Sequence, residues 1–375
     1  CSNTTQYPMH GVPLNNIDPG TVLWTFVNGD GTWLTVPPNV MNSVYQLGPG
    51  DLSTIDHAIV FTVTAHGTAG CSGVTVSDAM TLTVDPTPNG DAGPNGEVCG
   101  QRPYTLQPVA LYQSNLTWLT TGDGLFLPNA NTLFAKYVPG PADVGTTVML
   151  TLDLSGCNSL TDNDVMYLTV HPDPTVTISG STSICEGVST PVSISFTGTP
   201  PWEVTYTDGT IPVTVSGIMT TPYVFQVSPA VMTTWSVVSA SDQYCDVPAD
   251  SVFGVASIGV NPLPDPFTVL GSNGGYYCEG DTGVTLKLSS SETVMMYQLL
   301  LNGLPDGPAV AGTGGELTLG VRSTPGLYTV RGTNPAGNCQ RMMNGTVSVV
   351  MNPTPTTDFT FSTACHGDTT YFTSS

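Results

Sequence analysis

From Ala58 to Thr64, and again from Thr147 to Asp153, apolar and polar side chains alternate with a period of two. In an extended chain that period sends successive side chains to opposite faces, so both stretches predict strands with one buried face. Each is followed by a Gly-Cys pair (Gly70-Cys71, Gly156-Cys157), read as the tip of a hairpin. Shorter apolar stretches follow at 176–179, 192–196, 202–206, 211–215, 223–227, 234–239 and 252–260, divided by turn signals at Gly198-Thr-Pro-Pro, Asp208-Gly209 and Ser228-Pro229. A last group lies at 284–288, 294–301, 317–321, 327–331 and 347–351, with Asn302-Gly303 as a hairpin turn. Short strands with turns every 8–12 residues predict sandwiches of two β-sheets; no long helical period occurs.

A repeated mark divides these strands into groups. It reads Val-Asp-Pro-Thr-Pro at 84–88, Val-His-Pro-Asp-Pro at 170–174, Val-Asn-Pro-Leu-Pro at 260–264 and Met-Asn-Pro-Thr-Pro at 351–355. Successive marks stand 86, 90 and 91 residues apart. A period of that length is a tandem array of small domains, each the size of an immunoglobulin-like sandwich. The expected fold class is therefore all-β, a row of Ig-like seven-stranded sandwiches joined by short Pro-x-Pro linkers. The repeats span 1–88 (its first strand missing), 89–174, 175–264 and 265–355, and 356–375 starts a fifth, PKD-like one. Proline fixes φ and favours an extended residue before it, which makes each linker short and semi-rigid.

Repeats 1 and 2 are the closest pair. Trp24 leads to Gly29-Asp30-Gly31, a Pro-Asn turn, Tyr45 and Gly48-Pro-Gly50; Trp118 leads to Gly122-Asp123-Gly124, a Pro-Asn turn, Tyr137 and Pro139-Gly-Pro141. A large aromatic recurs in all four repeats, 17 to 23 residues after the first cysteine: Trp24, Trp118, Trp202 and Tyr297. In Ig-like domains a Trp on the third strand packs between the sheets, so core packing outranks a sugar-stacking role for these four.

Nine cysteines in regularly spaced pairs indicate an oxidising, extracellular setting. The simple pairing is one bridge per repeat: Cys1–Cys71, Cys99–Cys157, Cys185–Cys245 and Cys278–Cys339, with Cys365 unpaired within the chain. Loops of this length gain about 4 kcal/mol each from lost unfolded-state entropy. Geometry opposes that choice. Each first cysteine precedes the second strand and each second cysteine lies in the last hairpin, and in an idealised sandwich those places are at opposite ends. Bridges such as Cys1–Cys157, Cys99–Cys245 and Cys185–Cys339 would instead staple neighbouring repeats. The within-repeat pairing is our expectation, because each repeat should fold as a unit. Zinc is excluded by spacing, since no two cysteines are closer than 26 residues.

Composition narrows the functional classes. Gly and Pro supply 73 of 375 residues, as short strands and turns require, and six Lys or Arg face 28 Asp or Glu. A formal charge of −22 disfavours nucleic acid and anionic membrane surfaces as partners. No apolar run is long enough to span a membrane as a helix. There is no P-loop, no G-x-G-x-x-G after a strand, no H-E-x-x-H and no G-x-S-x-G, so no enzyme is expected and no catalytic or cofactor-binding residue is assigned. Calcium is the one metal with material: Asn89, Asp91, Asn95 and Glu97 cluster after the first mark, where oxygen ligands would stiffen a junction. Asn, Asp and Gly also make turns in any linker. Asn-x-Ser/Thr triplets begin at Asn3, Asn115 and Asn344.

Residues 178–209 carry a resemblance: Ile178-Ser-Gly, Ile184-Cys185-Glu-Gly and Thr197-Gly-Thr-Pro-Pro-Trp202-Glu-Val-Thr-Tyr206-Thr-Asp-Gly209. With Tyr277-Cys278-Glu-Gly-Asp281 and Phe359-Thr-Phe361 through Cys365-His-Gly-Asp368, they resemble the Ig-like and PKD-like repeats of giant Bacteroidota surface proteins. The PKD-type signature is present only in altered form, from Trp24 to Gly31. The resemblance implies type IX secretion, a role in gliding or adhesion, and location at the bacterial cell surface as an internal window of a longer chain. The leading expectation is a non-catalytic stalk or surface-filament segment. Its partners would be neighbouring domains, other copies in a filament or surface glycans. Two alternatives are an array of carbohydrate-binding modules, with Trp33, Tyr112 or Trp235 as sugar platforms, and spacer domains of a large secreted enzyme.

Overall fold

The computed structural model describes residues 5–12, 15–34, 41–53, 56–361, 366, 367, 369 and 371–374. Among them every regular element is a strand or a short 3-10 turn. The chain divides into two compact units, Cys1–Asp173 and Pro174–Ser375, and each holds two hydrophobic cores. The protein is a tandem array of Ig-like β-sandwiches.

In the first unit, strands β1 (Gln6–Pro8), β2 (Leu23–Val27), β3 (Thr32–Trp33), β4 (Val44–Gln46), β5 (His57–His66) and β6 (Thr75–Val84) form two three-stranded sheets, ordered β1-β4-β3 and β2-β5-β6. Between them lie Met9, Trp24, Tyr45, Ile59, Phe61, Leu82 and Val84. Repeat 2 adds β7 (Asn89–Asp91), β8 (Gly96–Cys99), β9 (Tyr104–Thr105), β10 (Val109–Leu111), β11 (Asn115–Thr120), β12 (Leu125–Leu127), β13 (Lys136–Val138), β14 (Thr147–Ser155) and β15 (Thr161–His171). One sheet runs β11-β14-β15-β8 and another β12-β13-β9, while β7 pairs with β10. The period of two in β14 puts Val148, Leu150, Leu152 and Leu154 on one fully buried face. Burying each such side chain contributes about 1.5–3 kcal/mol.

In the second unit, repeat 3 comprises β16 (Val176–Ser179), β17 (Thr182–Cys185), β18 (Thr190–Phe196), β19 (Trp202–Thr207), β20 (Val213–Ile218), β21 (Tyr223–Val227), β22 (Thr233–Ser241), β23 (Val252–Phe253) and β24 (Ala256–Asn261). Its sheets are ordered β21-β18-β16-β23 and β17-β24-β22-β19-β20. Repeat 4 comprises β25 (Val269–Gly271), β26 (Tyr276–Cys278), β27 (Val284–Leu288), β28 (Met296–Leu301), β29 (Leu304–Pro305), β30 (Val310–Ala311), β31 (Leu317–Arg322), β32 (Gly326–Asn334), β33 (Cys339–Met342) and β34 (Val347–Asn352). Here β25-β27-β31 faces a larger sheet, β26-β34-β32-β28-β29, onto which β30 and β33 also pair. A hairpin of β35 (Phe359–Phe361) and β36 (Phe372–Ser374) follows.

Two local readings change. The stretch 252–260 is not one strand. It breaks at Gly254, whose φ of +78° and approach to the Ile178 carbonyl (2.3 Å from any added Cβ) admit no side chain. The Cys-Glu-Gly frames at 185–187 and 278–280 suggest a turn at the first cysteine. Each of these cysteines instead ends a short strand that pairs in parallel with the last strand of its repeat, as Cys99 does in repeat 2: Cys99 opposite His171, Cys185 opposite Asn261 and Cys278 opposite Asn352. The turn begins one residue later.

Candidate functional site: the joint between repeats

That parallel pairing places each first cysteine beside the residue that enters the Pro-x-Pro linker. The next backbone N–H fixes it there: Gly100 donates to His171 (2.8 Å), Glu186 to Asn261 (2.9 Å) and Glu279 to Asn352 (2.9 Å). The second cysteine sits at the other end of its repeat, in the hairpin after the longest strands. In repeat 4 that hairpin, β32–β33, folds back onto the linker leaving repeat 3. Asn334 donates through Nδ2 to the Pro262 carbonyl at 2.9 Å, and Arg341 to that of Pro264 at 3.3 Å. Gly332 lies so close to Pro264 that a Cβ would meet it at 2.9 Å, and Gly337, at φ +82°, leaves 2.4 Å to Asn261 Nδ2.

Across this joint runs a disulfide between Cys185 of repeat 3 and Cys339 of repeat 4, with Cα atoms 5.5 Å apart and a sequence separation of 154. The within-repeat bridges Cys185–Cys245 and Cys278–Cys339 are therefore corrected. Cys278 is a free, exposed thiol, and Cys245 is bonded to another cysteine. Cys99–Cys157 fails by distance. Cys99 stands beside His171, whereas Cys157 lies in the hairpin before Thr161, at the opposite end of β15. Ten strand residues separate the two places, roughly 33 Å, whereas a bridge tolerates a Cα separation of about 7 Å at most. Both are disulfide-bonded, so each has another partner. Cys71 is free and exposed; Cys1, the other half of that expected pair, and Cys365 lie outside the described residues. The physical reason for all these corrections is the same. A sandwich keeps its entry hairpin and its exit strand at opposite ends, so a bridge reaches a neighbour before it reaches its own repeat.

The joint between repeats 1 and 2 is built from matching parts. The β14–β15 hairpin tip again lies on the linker: Cys157 Sγ approaches the Asp85 and Pro86 carbonyls at 3.9 and 3.6 Å, and Gly156 leaves 3.0 Å between an added Cβ and Pro88. Tyr112 donates its hydroxyl to the Ser53 carbonyl of repeat 1 at 3.1 Å. On the linker side, Asp56 N–H donates to the Asp85 carboxylate at 2.7 Å.

Sequence reading missed the polar locks that hold the loops of repeats 1 and 2. Tyr45 donates to buried Asp51 (2.9 Å), which also accepts from the N–H groups of Gly48 (2.9 Å) and Asp30 (3.0 Å). Tyr137, Asp143, Gly140 and Asp123 repeat the arrangement at 2.7, 2.9 and 3.0 Å. The Gly-Asp-Gly signature follows from it. A Cβ on Gly31 would lie 2.1 Å from the Gln46 carbonyl, and one on Gly124 2.4 Å from that of Val138. Burial, opposed by a hydrogen bond from Thr120 and reinforced by the one to Asp143, pushes the Tyr137 hydroxyl up to about 12. Burial would raise the Asp143 carboxyl, but the bonds from Tyr137 and from the Gly140 and Asp123 N–H groups hold it below the ordinary carboxylate range. The spacing Gly-Pro-x-Asp, present at 48–51 and 140–143, was the signal available.

The four recurrent aromatics are all buried. Trp118 and Trp202 donate their indole N–H to the Leu133 and Thr197 carbonyls at 3.2 and 3.0 Å, and the Tyr297 hydroxyl accepts from Glu292 N–H at 2.9 Å. The proposed sugar platforms do not form an exposed face. Trp235 is in the core of repeat 3, Trp33 packs against Trp24, Phe26, Tyr45 and Phe61, and Tyr112 serves the joint. Of the four oxygen ligands considered for calcium, three are engaged separately: Asp91 with Gly93 N–H, Asn95 with Tyr167 N–H, and Glu97 with His171 at 3.1 Å; Asn89 lies in β7 opposite Leu111. Among the described residues no group of three or more His, Cys, Asp or Glu is placed to hold a metal. Among the described residues no helix is long and apolar enough to cross a membrane.

No protein-family profile matches the chain, and no curated protein does. Similar solved structures include the ICAM-5 D1–D4 ectodomain fragment, 12% identical over 88% of this chain and 96% of that one, with a TM-score of 0.40. The titin I-band fragment I67–I69 is 14% identical over 68% of this chain and 92% of its own, at 0.36. A calcium-stabilised adhesin with which an Antarctic bacterium binds ice is 15% identical over 90% and 91%, at 0.32.

Proposed function

We propose that the chain is a non-catalytic extracellular spacer, a stalk or surface-filament segment, whose joints are fastened by disulfides from one repeat to the next. The observation that carries this reading is the Cys185–Cys339 bridge. A bridge inside a repeat stabilises that repeat alone. A bridge across a linker resists bending and extension of the array, which is the property a spacer needs. Disulfides also persist only in oxidising compartments, which supports an extracellular place. In this reading the chain belongs to a Bacteroidota surface protein exported by type IX secretion and serves adhesion or gliding, as the cysteine-frame resemblance implies.

Two measurements test it. Electron micrographs of the chain before and after reduction should show a loss of straightness at the joints on reduction; unchanged curvature would remove the stiffening role. Glycan-array binding of the intact chain should be negative. Selective binding of one glycan class would replace the spacer reading with the carbohydrate-binding one.

A further inference from the structure

The Cys185–Cys339 bridge changes which part of repeats 3 and 4 stands in line with a pull along the chain. From Val176, β16 and β17 lead to Cys185; from Cys339, β33 and β34 lead to Asn352. Strand β17 ends at the joint and β33 begins there. The disulfide thus splices four strands into one covalent path of 24 residues, 18 of them in strands. The 153 residues from Glu186 to Asn338 become a closed side loop on that path. Strands β18 to β32 and the Pro262–Pro264 linker all lie within it.

Strand register leaves the path little slack. In repeat 3, Val176 stands opposite Val252 and Cys185 opposite Asn261, so β16–β17 and β23–β24 take nine steps each between the same two rungs. The two chains cross from one sheet to the other side by side, at Gly180 and Gly254. In repeat 4, Asn334 stands opposite Cys339 and Gly326 opposite Val349, so ten steps of β33–β34 face eight of β32. That excess of two residues is worth about 7 Å. Neighbours grip the path along its length: β18 and β23 on β16, β24 on β17, and β26 and β32 on β34. Strand residues are already extended. Only six residues of the path lie outside strands, which limits its further lengthening to about 20 Å.

We propose that β16, β17, β33 and β34, joined through Cys185–Cys339, are the tension-bearing member of this unit, and that the rest of both sandwiches and the Pro-x-Pro linker carry no load. A pull favours unfolding only by the length that unfolding releases. Opening the side loop adds no length between Val176 and Asn352, so tension leaves the folding of β18 to β32 undisturbed while the bridge is closed. Without the bridge, the same pull runs through the linker and every strand of both repeats. The assignment rests on the spacer reading and names the part of the spacer that bears force.

Magnetic tweezers test it on the full chain, held at constant force through exposed Thr177 and Asn352 by non-cysteine coupling, with a protease site inserted in the Asn302–Gly303 turn. The oxidised chain should lengthen by no more than about 20 Å at forces that unfold the Cys185→Ser, Cys339→Ser variant in sandwich-sized steps. Protease should leave the length of the oxidised tether unchanged and part the variant at once. Held instead through exposed Thr210 and Ala309, inside the side loop, the oxidised chain should unfold in large steps. Equal resistance from both pairs of handles would reduce the bridge to a stabiliser of the fold and overturn the proposal. Lengthening of the oxidised tether beyond about 20 Å, before or after the cut, would overturn it too. In both cases a 185–339 peptide in the non-reducing map leaves the spacer reading standing, whereas its absence removes both readings.

Discussion

Pulling on repeats 3 and 4 reads the Cys185–Cys339 bridge directly. Let force handles be attached at exposed Asp173 and Thr354 through non-cysteine chemistry. Of the 181 peptide steps between them, 154 lie inside the disulfide loop and 27 outside. An unfolded residue extends by at most about 3.3–3.6 Å, so the oxidised segment releases only about 90–100 Å plus the span of the bridge, even when both sandwiches are fully unfolded. In the double variant Cys185→Ser, Cys339→Ser the loop is freed, and the released length should rise by about 510–550 Å. The handle positions make this independent of how the remaining cysteines pair, because no detour outside the two repeats is shorter. Optical tweezers resolve such a difference easily. The two contour lengths coming out equal, or the oxidised chain extending to the full 181 residues, would refute a bridge across this joint. The same double variant should lose about 5 kcal/mol of stability in that pair of repeats, from loop entropy alone.

Thiol chemistry provides a second check: in native buffer, alkylation should mark Cys71 and Cys278 and spare Cys185 and Cys339, and non-reducing peptide mapping should return a 185–339 peptide. In the same map, a Cys99–Cys157 peptide would contradict the strand register. Asp143→Ala strips the Tyr137 hydroxyl and two backbone N–H groups of their acceptor, and should cost repeat 2 about 3 kcal/mol in denaturant melts. For pH, the raised Tyr137 value means the folded state keeps a proton that the unfolded state releases. Its stabilising share is complete below pH 10 and disappears between 10 and about 12, a loss that Tyr137→Phe should abolish. The lowered Asp143 carboxyl acts oppositely: its share is present above the ordinary carboxylate range and is lost as pH falls through the folded-state value. Gly337→Ala forces a Cβ to within 2.4 Å of Asn261 at φ +82°, and should lower the melting temperature of repeat 4 measurably.

Local rules carried the architecture. The alternation in 147–153 and the turn residues are short-range signals, and strand β14 and the hairpins lie where those signals put them. A buried aromatic at Trp24, Trp118, Trp202 and Tyr297 was equally legible, because large apolar rings at a recurring place have one good use in a two-layer sandwich. The polar locks were half legible. Gly-Asp-Gly and Tyr stood out as a pattern, but Asp51 and Asp143 gained meaning only when chain reversal brought them under the tyrosine hydroxyls.

The disulfides divide the two kinds of knowledge most clearly. By itself the sequence determined how many cysteines there are, their period and the oxidising setting they need; it also raised two pairings, of which it favoured the within-repeat one, and that choice was wrong at Cys185 and Cys339. Tertiary structure decided between them at the Cys185–Cys339 joint. A parallel strand carries the first cysteine to the exit of its repeat, a long hairpin holds the second at the entrance of its own, and bonding range selects the neighbour. Sequence spacing is blind to that choice, because sulfur pairs by distance in space and the ends of a sandwich lie farther apart than the two sides of a joint.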